Sequence, residues 1–170
     1  TKFSWDVDGT GENSVLFQTP FIDDTTVTLG VPSPTPVFFG SEFQINTYTT
    51  GDQRHTFNTT QDLRAVSALT DGGFVAVWTS FDQDGSDVGV YGQRYDASGS
   101  AMGAEFRVNT FTDGPQAEGQ IAALADGGFI ITWASRGQDG SDFGVFGQRY
   151  DASGSPQGTE FKINSYTSEA

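Results

Sequence analysis

Asp71-Gly72-Gly73-Phe74 returns as Asp126-Gly127-Gly128-Phe129, and Gly92 to Ser100 returns unchanged as Gly147 to Ser155. Glu105-Phe106-Arg107-Val108-Asn109 returns as Glu160-Phe161-Lys162-Ile163-Asn164. The offset is constant at about 55 residues, and about 28 of the 46 positions from Ala65 to Thr110 match at that spacing. A chain built this way must fold as copies of one supersecondary unit, each burying its apolar faces against its neighbours. Matched residues therefore speak first of stacking. Function is to be sought where the copies differ, or in the loops they share.

Each copy reads as four strands, which in the last copy are Gln120–Ala125, Phe129–Ser135, Phe143–Asp151 and Glu160–Ser165. Asp126-Gly127-Gly128 and Asp151 to Ser155 are the turns, with glycine supplying the positive φ that a tight hairpin demands. No stretch sustains a helical period. In Phe74-Val75-Ala76-Val77-Trp78 both alternating faces are apolar, and a strand buried on both sides belongs to a sheet packed between two other layers. The expected fold is all-β, with four-stranded antiparallel units stacked as in a β-propeller. A β-trefoil ranks second, because its barrel strands are apolar chiefly on one face.

The unit boundaries follow. Residues 1–39 form a diverged N-terminal partial repeat with a Pro-rich connection at Val31–Pro36. Residues 40–110 are a repeat, and 111–170 are the second. Glu42 to Thr47 is a further copy of the fourth strand. The spacing from Phe43 to Phe106 exceeds the next by about eight residues, so an insertion falls near 52–61. These copies are too few to close a ring, so self-association, or packing against adjacent repeats of a longer chain, is expected. Thr1 in place of an initiator Met suits a processed chain or an excerpt.

Composition narrows the partners. With 22 Asp plus Glu against 8 Lys plus Arg, the formal charge of −14 disfavours nucleic acid and anionic membrane surfaces. Fifteen Phe, five Tyr and three Trp argue against disorder. There is no Cys, so disulfides and thiolate metal sites are excluded. No apolar run reaches transmembrane length, so membrane insertion is not expected.

On these residues the chain resembles the tandem DGGFVVVW…QDGS…GVYGQRYDASG…EFQVNT repeats of large exported bacterial proteins of calcium-binding, RTX-associated and adhesin-like type. The likeness covers Gly40 to Thr167. It implies an extracellular or cell-surface bacterial location, a propeller-like β fold, Ca²⁺ and no enzymatic activity. The glycine-rich nonapeptides of a true RTX β-roll are absent, and residues 1–39 match the repeat poorly.

Three groups of side chains are candidates for chemistry. Asp82, Asp84 and Asp87 lie within six positions of a Gly-bent loop, a donor set suited to Ca²⁺. Asp139 and Asp142 occupy the equivalent loop, and Asp6 and Asp8 a third variant. The inserted segment carries the only histidine, His55, with Arg54 and Phe57, the candidate ligand-binding residues if the insertion faces a partner. Arg94 and Arg149, in identical contexts, are expected to pair with an Asp inside the unit, and Trp78 and Trp133 to lie in the core. Neither a nucleophile–base constellation nor a phosphate loop occurs. The functional expectation is a non-enzymatic structural or adhesive module of a surface assembly, with a lectin-like module binding glycans, dependent on Ca²⁺ or not, as the alternative.

Overall fold

The computed structural model describes residues 42–54, 65–140 and 142–166. The chain divides at Gly40, and all described residues belong to the unit Ser41–Ala170. They form two antiparallel sheets with no helix, and neither sheet closes on itself. The first contains β1 (Gln53–Arg54), β2 (Val66–Ala68), β3 (Phe74–Phe81), β4 (Val88–Tyr95) and β5 (Ala101–Arg107). The second runs in simple order through β6 (Gln116–Ala123), β7 (Phe129–Arg136), β8 (Phe143–Tyr150) and β9 (Pro156–Lys162).

β1 and β2 are two halves of one strand. Gln53 and Arg54 pair with Ser80 and Thr79, while Val66 to Ala68 pair with Ala76 to Phe74 along the same edge of β3. In the second sheet a single strand does the same work, with Gln116 opposite Ser135 and Ala123 opposite Phe129. The insertion thus interrupts the first strand of the repeat instead of lengthening a loop between strands. Between the paired stretches the first repeat has ten residues in sequence where the second has two, Glu118 and Gly119, a β-bulge with Glu118 at φ 59°. A bulge already leaves the ladder unpaired, so extra residues enter there at least cost to the pairing.

The turns follow the glycines. Gly72 and Gly127 adopt φ of 86° and 87°, and each hairpin is closed by its Asp: Asp71 accepts from the Gly73 N–H at 3.0 Å and Asp126 from the Gly128 N–H at 3.1 Å. Sequence patterning placed the first strand of the last copy at Gln120–Ala125 and the fourth at Glu160–Ser165. Both begin earlier, at Gln116 and Pro156. The polar start of β6 and the Pro-Gln-Gly start of β9 hide them from a hydrophobic pattern, whereas backbone pairing across a bulge holds both in the sheet.

The two sheets stack on unlike faces. Val75, Val77, Val90 and Val108 of the first meet Ile121, Phe129, Ile131, Trp133, Phe146 and Tyr150 of the second in one core. Because Phe129 and Trp133 correspond to Phe74 and Trp78, the aromatic face of one copy lies on the valine face of the other. The first sheet's own aromatic face, with Ala76, Trp78 and Tyr91, is packed against Ile45. β3 is therefore buried on both sides, as its sequence suggested. β7 is only half-buried at Ile130, Thr132 and Ala134, although its sequence matches, because these residues face away from the first sheet.

Candidate functional site

Among the described residues, the seam between sheets is the most built polar feature. Glu105 of β5 accepts from the backbone N–H of Thr47 at 2.7 Å and its hydroxyl at 2.9 Å, while Gln83 donates to its other oxygen. The second sheet repeats this: Glu160 takes the Thr110 N–H at 2.8 Å and its hydroxyl at 3.1 Å, and Gln138 donates to the second oxygen. One carboxylate thus ties β5 to the β3–β4 loop and to Thr47, and its counterpart ties β9 to the β7–β8 loop and to Thr110, just past the end of the first sheet. Charge-assisted bonds of this kind are about twice as strong as neutral ones.

Behind it lies a buried amide relay. Asn109 accepts from the Val90 N–H at 2.7 Å and donates to the Phe111 carbonyl at 2.8 Å and to Gln116 Oε1 at 3.1 Å. Gln116 in turn donates to the carbonyls of Asp113 and Gly114. Asn46 repeats the pattern with Tyr48 and Gln53. Sequence reading registered Glu-Phe-x-x-Asn as a repeated string without assigning this role. The signal was there: Glu and Asn are unchanged at fixed spacing in all three strings, while the polar residue between them varies as Gln44, Arg107 and Lys162.

A cleft of about 490 Å³ opens along the seam, lined by Phe106, Arg107, Thr110, Gln138, Tyr150 and Glu160 among others. Burial raises the Tyr150 phenol above its ordinary value, and the Glu160 carboxylate adds to the shift. In the preceding unit Tyr95 donates to the Ile45 carbonyl at 2.6 Å.

The acidic loops are turns with their own internal logic. In 82–87 the Asp82 N–H donates to the Asp87 carbonyl at 3.0 Å and Asp84 Oδ1 accepts from the Ser86 N–H at 3.1 Å. Asp82 sits at φ 59°, where the second loop has Gly137 at φ 78°, so this position needs the left-handed region in both copies. In the second loop Lys162 pairs with Asp139 at 2.8 Å and Arg136 with Asp142 at 2.7 Å. Among the described residues, no three carboxylate or imidazole side chains form a group that could hold a metal ion. Asp6 and Asp8, like His55 and Phe57, lie outside the described residues. Arg54 pairs with Asp52 and lies over the Phe81 ring, 5.1 Å from its centre.

The recurring Gly-Gln-Arg-Tyr-Asp string is structural throughout. Gln93 and Gln148 donate to carbonyls left open by the β4–β5 and β8–β9 bulges. Arg94 pairs with Asp71 and Arg149 with Asp126, joining strand to turn. Asp96 and Asp151 each gather two backbone N–H groups and a serine hydroxyl, which hold both carboxyls below the usual range, the hydroxyls of Ser98 and Ser153 foremost. Trp78 and Trp133 are buried. No helix among the described residues is long and apolar enough to cross a membrane. No family model, no curated protein and no solved structure matches the chain.

Proposed function

We propose that this chain is a non-enzymatic stacking module of an extracellular bacterial surface assembly, its sheets succeeding one another in propeller-like fashion. The observation that carries the reading is the head-to-tail seam, in which Glu105 reaches Thr47 and Glu160 reaches Thr110 by the same bonds. Polar residues repeated between copies are consumed in turns, bulges and this seam, which is the economy of a scaffold. The extracellular location rests on the repeat resemblance, with which the acidic, cysteine-free composition is consistent.

The test pairs single-molecule force unfolding with a glycan array. A scaffold gives one cooperative rupture of both sheets and no saturable sugar binding. Saturable glycan binding that perturbs resonances of Tyr150 and Arg107 in the seam cleft would replace this reading with a lectin-like one.

A further inference from the structure

The second sheet turns outward a face that the first sheet keeps covered. Position for position, Val75, Val77, Val88, Val90 and Val108 of the first correspond to Ile130, Thr132, Phe143, Val145 and Ile163 of the second. Val90 is 0% exposed and Val145 42%; Val108 is 3% exposed and Ile163 48%. The side chain of Arg94 on this face is 12% exposed and that of Arg149 51%. The same chemistry is thus present twice, once covered and once, among the described residues, uncovered, and the covered copy shows what the partner is. It is the Phe129, Ile131 and Trp133 face of a four-stranded unit.

The polar half of the seam accompanies the apolar face. Asn164 accepts from the Val145 N–H at 2.7 Å and donates to the Tyr166 carbonyl at 2.7 Å, setting the chain path that Asn109 sets at Val90. Among the described residues no glutamine meets Asn164 as Gln116 meets Asn109. Ser165 stands where Thr110 receives Glu160.

We infer that the face bearing Ile130, Phe143, Val145 and Ile163 docks a further four-stranded unit of this repeat, which contributes its Phe–Ile–Trp face, a glutamine to Asn164 and a glutamate to Ser165. The inference rests on the stacking-module reading and names its partner. The partner is a unit of the uninterrupted kind. At the existing seam Gly119, next to the Glu118 bulge, approaches Val90 so closely that a Cβ would lie 2.7 Å from Cγ1, so the docking unit needs a glycine there. The first sheet of a second copy does not qualify. Its strand carries the insertion at this point, and its Trp78 face is already packed against Ile45. Since the contact joins unlike faces, it propagates from unit to unit instead of closing a symmetric pair.

The chain has no cysteine, so a single Val145→Cys substitution reports on the face by its alkylation rate, with Val90→Cys as the buried reference. Labelling is compared between the chain as it stands and a chain extended after Ser165 by a duplicate of residues 111–165. The expected result is labelling at least tenfold slower in the extended chain, approaching the Val90→Cys rate. Equal rates with the duplicate folded overturn the inference. A duplicate that adds no strand signal to the circular dichroism overturns it too, because the same sequence folds against the equivalent face at Val90. Labelling slowed in the unextended chain by concentration-dependent dimerisation also overturns it, since the occupant is then a second copy. None of these outcomes depends on glycan binding, on which the stacking-module reading itself stands or falls.

Discussion

Glu160 and Thr110 lie 50 positions apart in sequence and are joined by two hydrogen bonds to one carboxylate oxygen, from the Thr110 N–H at 2.8 Å and its hydroxyl at 3.1 Å. This contact couples the end of one sheet to the last strand of the next. Glu160→Ala should lower stability by about 1.5–3 kcal/mol, the range for hydrogen bonds to a charged group. Combined with Thr110→Val in a double-mutant cycle, it should show a coupling of at least about 0.5 kcal/mol by urea denaturation. Additivity of the two changes would remove Glu160 from the seam's energetics.

Asn109 and Asn164 provide a comparison within one molecule. Asn109 is fully buried and feeds Gln116, whereas the Asn164 bond to Val145 is exposed. Asn109→Ala leaves Gln116 Oε1 and the Val90 N–H buried without their partner, at a cost of about 2–4 kcal/mol. Asn164→Ala should cost less than about 1 kcal/mol, since water replaces the lost bonds. Equal losses in thermal or urea melts would contradict the seam geometry.

Asp82 occupies a left-handed conformation that Gly137 adopts in the other copy. Asp82→Gly should therefore stabilise the chain by about 0.5–1 kcal/mol, strain relief outweighing the added flexibility of the unfolded state. The gain should be the same with millimolar Ca²⁺ or with chelator. A Ca²⁺-dependent rise in Tm that this variant abolishes would instead make the loop a cation site.

Two phenols predict the alkaline limit. Burial first, and then the Asp84 carboxylate, pushes Tyr91 up to about 12, and burial with Glu160 raises Tyr150 in the same direction. A group whose pKa is higher folded than unfolded contributes stability that is complete below the unfolded value and lost as pH climbs through the folded one. Tm should hold to about pH 10 and fall between about pH 10 and 12. Tyr150→Phe should flatten that fall, as measured by melts alongside ultraviolet titration of the phenolates.

At the acid end Asp96, Asp126 and Asp151 are all held below the usual carboxyl range: the first and last chiefly by serine hydroxyls, Asp126 by the Gly128 N–H and Arg149. Depressed values stabilise above the unfolded pKa, and the contribution disappears as pH falls through the folded one. Melting should weaken below about pH 4. The pair Asp96→Asn with Asp151→Asn should show a shallower acid slope. An unchanged slope would assign acid sensitivity to other carboxylates.

The period of the chain, its hairpin turns, the four-strand unit and the burial of Trp78 and Trp133 were legible from residues alone, because each depends on local backbone preference or on alternation within one strand. The insertion was legible as a length difference. Its place inside a strand was not, because β1 and β2 become one lane only when both pair with β3. The Asp-rich composition of the loops was legible, but the pairing of Asp139 with Lys162 and of Asp142 with Arg136 was not, since Lys162 and Arg136 lie outside the loop itself.

What the amino-acid order determined is the unit: where it bends, which residues alternate, and that each copy has an aromatic and an aliphatic face. Only the tertiary structure decided which faces meet. Val90 and Val145 hold the same position in the repeat, in Gly-Val-Tyr-Gly and Gly-Val-Phe-Gly, and one is sealed while the other meets solvent. Burial is a property of the opposing surface, and Gly119 and Trp133, which close over the first sheet's valines, come from the following copy of the repeat. No local pattern can encode that difference, because it resides in whether a neighbouring sheet is there to exclude water.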